Sequence, residues 1–139
     1  MKSTSIISVV VLLVASATSG CFPFGGHQRT IIGDYRLEQW EDSETFYLHK
    51  RGQDDSARGG SIMDGTVIRI GWSPRYIVAE RHSIFRGDPD GWMIIEVRSG
   101  TIIGAFPDAD FRARPEARGI QVFKASEAWT KLWPRVARL

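Results

Sequence analysis

The sequence predicts a mainly β domain, an antiparallel meander sheet of about six strands with one or two short helices near the C-terminus. From Gly33 onward, short runs of aromatic and β-branched residues recur, and this composition is typical of strands. Clusters of Gly, Pro, Asp and Ser separate the runs and indicate turns. After Pro107 the pattern changes to short segments that begin with helix-capping residues.

The first strands follow from the spacing of these runs. Residues 35–40 and 45–50 are separated by the polar residues 41–44, which predicts a hairpin with a four-residue loop. Residues 52–60 are polar and rich in glycine, so a loop is expected there. Further strands are predicted over 66–72, 76–82, 92–98 and 101–106, with turns at 73–74, 87–91 and 99–100.

The strand predicted over 66–72 alternates in character along its length. Ile68, Ile70 and Trp72 are spaced two residues apart, with Val67 and Arg69 between them. Since successive side chains of a strand point to opposite faces, the first three are predicted to share one face and the other two the opposite face.

Two short helices are expected near the C-terminus. Asp108 is suited to cap a helix that ends before Pro115. Ser126 is suited to cap a second helix over 127–133, which Pro134 would end. A last short strand is predicted between them, over 120–123.

Residues 1–20 differ in composition from the rest of the chain. Lys2 precedes an apolar run over 6–14, and small residues follow over 15–20. This order is that of a secretory signal peptide. The apolar run is shorter than the roughly 20 residues that a transmembrane helix requires, so a retained membrane span is the weaker interpretation.

Two cleavage sites overlap at the end of this segment. Ala-Ser-Ala at 15–17 fits the pattern of an ordinary signal peptidase site and would release a chain that begins at Thr18. Thr-Ser-Gly-Cys at 18–21 resembles the lipobox of bacterial lipoproteins, although that class prefers leucine in place of Thr18. The resemblance implies that Cys21 carries a lipid and becomes the first residue of the mature chain. Cys21 is the only cysteine, and an exported protein seldom keeps one unpaired thiol, which favours the lipoprotein interpretation.

These features divide the chain into three parts. We expect a lipoprotein signal peptide over 1–20, a lipid anchor with a flexible tether over 21–30, and a single small β-rich domain over 31–139. The lipobox resemblance implies attachment to a membrane through the N-terminal lipid. In Gram-negative lipoproteins an aspartate after the cysteine favours the inner membrane, and Phe22 stands there instead. The outer membrane, with the domain facing the periplasm, is therefore expected if the host is Gram-negative.

The charge balance bears on partners. The formal net charge is +2, and no basic run stands out, so nucleic-acid binding is not expected. Arginine outnumbers lysine by 14 to 4. Because the arginines are spread from Arg29 to Arg138, codon usage explains the excess as well as a phosphate-binding surface does.

The sequence contains no motif that identifies a reaction. The patterns of serine hydrolases, zinc proteases, Walker loops and dinucleotide-binding domains are missing, and no cofactor or metal is predicted. His49 and His82 lie near the ends of predicted strands and could approach each other across a sheet. With Glu80 or Asp88 they would form a metal or acid–base site. Ordinary surface histidines at strand ends are the more frequent arrangement.

The acidic turn over 88–91 and the tryptophans suggest binding sites, but each also has a structural explanation. The acidic turn over 88–91 supplies too few oxygens for calcium, which takes six to eight, and its residues are typical of turns. The chain has five tryptophans, which could form a binding face. Strand and helix positions favour core packing for Trp72, Trp92, Trp129 and Trp133 instead.

Three segments carry a second resemblance. They are Gly-Trp-Ser-Pro-Arg-Tyr-Ile-Val-Ala at 71–79, Gly-Trp-Met-Ile-Ile-Glu-Val at 91–97, and Ser-Gly-Thr-Ile-Ile-Gly at 99–104 ahead of Phe111. They resemble short bacterial proteins grouped only as domains of unknown function, many of them lipoproteins. The region also resembles one blade of a β-propeller, although a single blade cannot close a ring. Neither resemblance implies an activity.

The sequence thus favours a lipid-anchored cell-envelope protein with a non-enzymatic binding or structural role. Its partner would be an envelope protein or a component of the cell wall. A small envelope enzyme or ligand binder with a polar site near His49 and His82 is the alternative, so the question of catalysis stays open. An inhibitor or immunity-like protein is a third hypothesis.

Overall fold

A computed structural model describes residues 27–52, 62–63, 65–83 and 88–132. Cys21, the signal peptide and most of the loop expected over 52–60 lie outside these residues. The described strands are β1 His27–Ile32, β2 Tyr35–Gln39, β3 Phe46–Lys50, β4 Thr66–Trp72, β5 Tyr76–His82, β6 Gly91–Glu96, β7 Ile102–Phe106 and β8 Val122–Lys124. The helices are α1 Asp108–Ala113 and α2 Ala125–Lys131, with a 3₁₀ helix over Pro115–Ala117.

The strands form two antiparallel sheets, which confirms the mainly β class. Sheet A has the order β1-β2-β3, and sheet B has the order β7-β6-β5-β4-β8. A single meander was expected, so the division into two sheets is a correction. Residues 27–30, predicted as part of the tether, belong to β1, where Arg29 lies opposite Leu37 of β2. This segment has no apolar pattern, and its pairing with β2 makes it a strand.

The hairpin predicted from residues 35–50 is confirmed as β2 and β3, with Leu37 opposite Leu48. Asp42 organises the loop between them. Its Oδ1 accepts hydrogen bonds from the amides of Glu44 at 2.9 Å and Thr45 at 2.8 Å. The Thr45 hydroxyl, followed by these two amides, lowers the pKa of the Asp42 carboxyl, because all three donate to its ionised form.

Strand β4 departs from the predicted alternation. Its register with β5 shifts between Val67 and Arg69, which is a β-bulge. Val67 and Ile70 are both buried in the core, whereas Ile68 is 45% exposed. The prediction that Ile68 shares a face with Ile70 is therefore wrong. An extra residue on one strand reverses the faces of all residues before it.

Sheet B carries apolar side chains on both faces, and each face is covered by other elements. On the inner face, β4, β5 and β6 pack against sheet A and α2. On the outer face, β5 and β6 pack against α1 and the 3₁₀ helix. The inner cluster includes Leu37, Leu48, Ile70, Ile77, Ile95, Ala128 and Trp129. The outer cluster is centred on Val78, Trp92, Ile94 and Phe111. The described residues thus form three layers: sheet A with α2, then sheet B, then α1 with the 3₁₀ helix.

The helices occupy the predicted regions, but both predicted caps are wrong. Pro107 and Lys124 are the N-cap residues, and Asp108 and Ser126 lie within the first turns of α1 and α2. The Asp108 carboxylate instead accepts a hydrogen bond from a tryptophan of β6. None of the helices in the described residues is long and apolar enough to cross a membrane.

The predicted core positions of Trp92 and Trp129 are confirmed, since both are buried. Trp133 lies outside the described residues. Trp72 is half-buried and packs against the inner cluster. The Arg29 guanidinium lies 3.9 Å from the centre of the Trp129 ring and donates to the Trp129 carbonyl oxygen at 2.6 Å. These contacts join β1 to α2, so the strand missed by the sequence analysis helps to hold the inner layer together.

Strand β8 approaches β4 closely at Gly71. A Cβ at Gly71 would lie 2.5 Å from the Gln121 carbonyl oxygen and 2.8 Å from Cγ2 of Ile120. Gly71→Ala should therefore lower the free energy of unfolding by about 1–3 kcal/mol in urea denaturation. Gly33→Asn is the control, because Gly33 has open space and a φ of +53°, which asparagine tolerates. Equal destabilisation by both variants would contradict the close packing of β8.

Candidate functional site

The two histidines of the sequence hypothesis lie in different sheets, His49 on β3 and His82 at the end of β5. Each contacts a different carboxylate. Nε2 of His49 contacts Oε2 of Glu38, and Nδ1 of His82 lies 3.1 Å from Oδ2 of Asp90. Across the residues that the structure describes, no group of three His, Cys, Asp or Glu side chains could hold a metal ion. The grouping of His49 and His82 with Glu80 or Asp88 is not found.

The pair of Glu38 and His49 is buried between neighbouring strands, so the expected surface position is wrong for His49. Glu38 is 4% exposed and His49 is 9% exposed. Both lie on the face of sheet A opposite to Leu37 and Leu48, since they alternate with those residues along β2 and β3. The Gln28 side-chain amide on β1 also donates to Glu38 Oε2, at 3.2 Å. The contact satisfies two buried polar side chains and ties β2 to β3, which is a structural role.

The pair of His82 and Asp90 closes the β5–β6 connection at the surface. Both side chains are more than half exposed. Asp90 Oδ1 accepts the Ser83 amide at 2.7 Å. This amide, followed by the His82 side chain, lowers the pKa of the Asp90 carboxyl. Arg81 donates to the Pro89 carbonyl oxygen at 2.7 Å. The acidic segment predicted at 88–91 therefore connects the end of β5 to the start of β6 through these hydrogen bonds.

Double-mutant cycles distinguish the two pairs. Replacing Glu38 and His49 by alanine, singly and together, should give a coupling energy of about 1–3 kcal/mol in chemical denaturation, because each leaves the other buried without its partner. The matched cycle on His82 and Asp90 should give a clearly smaller coupling, since water replaces the lost contact. A larger coupling for the exposed pair would contradict this assignment.

The residues that the sequence analysis missed line a cleft on the outer face of sheet B. The cleft has a volume of about 400 Å³ and lies between the sheet, α1 and the segment that follows the 3₁₀ helix. Three arginines from three elements line it: Arg69 from β4, Arg112 from α1 and Arg118 from the segment after the 3₁₀ helix. We call this feature the arginine cleft. The excess of arginine over lysine was its only signal in the sequence.

Trp92 forms the base of the arginine cleft and positions α1 against the sheet. Its ring stacks on Phe111 with the centroids 4.0 Å apart and an interplanar angle of 5°. Its indole nitrogen donates to Asp108 Oδ1 at 2.6 Å. Trp92 is at the start of β6, and Asp108 begins α1. One side chain therefore contributes both apolar packing and a directional hydrogen bond to the same contact.

Arg69 is held in place from two sides. Its Nε donates to Glu80 Oε2 at 2.5 Å, and its Nη2 lies 3.6 Å from Asp108 Oδ1. The guanidinium also lies 5.0 Å from the centre of the Trp92 ring. The hydrogen bond with Glu80, together with the charges of Glu80 and Asp108, raises the pKa of Arg69 above its ordinary value. Arg69 thus stays charged in a fixed position at the wall of the cleft.

Arg112 and Arg118 are the less constrained members of the arginine cleft. Both are exposed. Neither forms an ion pair with a carboxylate in the part of the chain that the structure describes. Three guanidinium groups and the single carboxylate of Asp108 therefore surround a concavity that is open to solvent. Such an arrangement attracts anions, because guanidinium groups match the oxygens of phosphates and carboxylates.

A second concave surface adjoins the arginine cleft at Arg69, which lines both. This groove, of about 470 Å³, runs between the β2–β3 loop, the start of β4 and the start of α2. The exposed side chain of Ile68 lies along it, and Arg69 and Lys124 are its basic residues. Glu44 lies on its other wall. Charges of both signs and an apolar side chain share this groove, so it has no single chemical preference.

Comparisons of this chain with models of protein families, with curated proteins and with solved structures found no match. The resemblances to bacterial lipoproteins and to domains of unknown function stay predictions from the sequence. The geometry of the described residues therefore carries the functional argument.

Proposed function

We propose that this chain is a lipid-anchored cell-envelope protein that binds an anionic ligand in the arginine cleft. The observation that carries the proposal is the convergence of Arg69, Arg112 and Arg118, from three separate elements, on one concavity. Its volume of about 400 Å³ lies within the range of small-molecule sites. Trp92 and Glu80 hold one wall of the cleft in place, so little rearrangement is needed before a ligand binds.

The chemistry of the cleft supports recognition of charge over proton transfer. An arginine keeps its proton at every pH that proteins tolerate, so Arg69, Arg112 and Arg118 are donors and not bases. The fourth charged group of the cleft, Asp108, already accepts a hydrogen bond from Trp92. His49 and His82 contact carboxylates elsewhere in the fold. A binding role therefore requires no proton transfer by the residues of the cleft.

The N-terminal sequence supports the proposed location. An apolar run, small residues and a sole cysteine at position 21 follow one another in the order of a lipoprotein signal. Strand β1 begins at His27. The chain between Cys21 and His27 can extend by no more than roughly 20 Å. A lipid on Cys21 would therefore keep the domain close to the membrane surface.

Mass spectrometry of the mature N-terminus tests the anchor. We expect a chain that begins at Cys21 with the added mass of acyl groups, and recovery of the protein in the membrane fraction. Cys21→Ala should remove both, because the thiol is the attachment site. Ser19→Ala is the control, since a small residue at that position keeps the lipobox pattern. An unmodified N-terminus at Thr18 in the wild type would contradict the proposed anchoring.

Native mass spectrometry of the protein extracted from envelopes in mild detergent tests the binding role. The wild type should carry a bound mass that the double variant Arg112→Ala/Arg118→Ala loses, since these exposed side chains supply two of the three charges. The control Arg51→Ala/Arg98→Ala removes the same charge at exposed positions that do not line the cleft, and it should keep the bound mass. Identical spectra for the three proteins would overturn the binding role of the cleft.

A further inference from the structure

We infer that the group bound in the arginine cleft is a phosphate monoester, carried either by a lipid that ends in a phosphate or by a small soluble compound. The inference rests on the proposed function and names the chemistry of its ligand. The cleft offers three guanidinium groups from β4, α1 and the segment after the 3₁₀ helix. A planar carboxylate is fully bound by one or two such groups, whereas a phosphate presents three oxygens to donors that approach from different directions.

The charges of the cleft favour an anion. Arg69 is balanced by Glu80, and Asp108 lies near it. Arg112 and Arg118 have no carboxylate partner in the described part of the chain. The three guanidinium groups and the two carboxylates together leave a net charge of about +1. This charge attracts an anion of either kind, so the choice of a phosphate rests on the three donors that approach from different directions.

Asp108 sets the place of the anion within the cleft. Its Oδ1 accepts the Trp92 indole and faces Nη2 of Arg69. A bound anion is repelled by this carboxylate, so it should lie toward Arg112 and Arg118, with Arg69 as the third donor. The negative charge of Asp108 thus lowers the affinity, while its oxygen is needed to hold Trp92 and α1 together.

The cleft also has room for more than the phosphate itself. Ile120, Val122 and Phe111 supply apolar walls beside the arginines. A volume of about 400 Å³ accommodates the glycerol or sugar to which a phosphate is attached. A terminal phosphate on a lipid and one on a small soluble compound present the same oxygens to the arginines, so both sources of the phosphate satisfy the same chemistry.

Calorimetric titration of the mature lipidated protein in detergent tests the inference. The probes are glycerol 3-phosphate, monomeric dihexanoylphosphatidic acid and acetate. Glycerol 3-phosphate should bind at least about tenfold more tightly than acetate. Tighter binding of glycerol 3-phosphate than of the short-chain lipid indicates a soluble ester as the natural ligand, and tighter binding of the short-chain lipid indicates a lipid that ends in a phosphate. Equal affinity supports the phosphate site for both sources. Equal affinity for acetate and glycerol 3-phosphate, or no heat with either phosphate compound, would overturn the inference.

Variants connect the binding to the named residues. Arg112→Ala and Arg118→Ala should each weaken glycerol 3-phosphate binding by about tenfold, because each removes one charge-assisted hydrogen bond. Arg98→Ala, which removes an exposed arginine away from the cleft, should leave the affinity unchanged. Circular dichroism melting checks that the variants keep their fold. Weakening by Arg98→Ala equal to that by the cleft variants would show nonspecific attraction and overturn the site.

Asp108→Asn gives a result of opposite sign. Asparagine keeps an oxygen that accepts the hydrogen bond of the Trp92 indole but removes the negative charge, so binding of glycerol 3-phosphate should tighten by about threefold.

Failure of the phosphate titrations is distinct from failure of the proposed function. If the envelope-extracted protein still loses its bound mass in the double cleft variant, the cleft binds a ligand and only the assignment of phosphate is wrong.

Discussion

Strands β5 and β6 carry apolar side chains toward both faces of sheet B, and Ile77, Val78, Ile94 and Ile95 are almost completely buried. Water on either face would cost the burial free energy of these side chains, so each face requires a covering layer. Sheet A and α2 cover the inner face, and α1 with the 3₁₀ helix covers the outer one. The arginine cleft lies where the outer cover meets the sheet. The candidate site is thus a consequence of how the core is closed.

Trp92 connects this packing to the chemistry of the site. Its ring fills the outer cluster against Phe111, while its indole nitrogen holds the carboxylate of Asp108. Asp108 and Glu80 in turn hold Arg69 at the wall of the cleft. A large aromatic side chain with one polar atom can contribute to packing and to orientation at once. The position of the charged groups therefore depends on the same contact that attaches α1, and the site is only as rigid as that contact.

Short-range sequence patterns predicted the elements that depend on residues close together in the chain. The β2–β3 hairpin, the turn at 73–74 and the regions of both helices follow from short-range periodicity and turn residues. Strand β1 pairs with its neighbour β2, and the bulge at Ile68 lies in the β4–β5 hairpin. Sequence patterns missed both because residues 27–30 are polar and because no residue type marks the position of a bulge. The true helix caps form no side-chain capping hydrogen bond, so capping preferences did not indicate them. The site depends instead on contacts between segments that are far apart in the sequence. Arg69 lies far from Arg112 and Arg118 along the chain, and the three meet because α1 and the segment after the 3₁₀ helix pack on the outer face of sheet B.

A nuclear magnetic resonance titration tests whether the outer cover of sheet B forms the proposed anion site. Glycerol 3-phosphate would be added to ¹⁵N-labelled mature protein in detergent while the backbone amide and arginine Nε signals are followed. We predict saturable shifts at Arg69, Arg112, Arg118 and the amides of 118–122, with little change along the groove of Ser43–Phe46 and Ser126. Shifts confined to that groove, or uniform small shifts at arginines across the whole surface, would contradict the account.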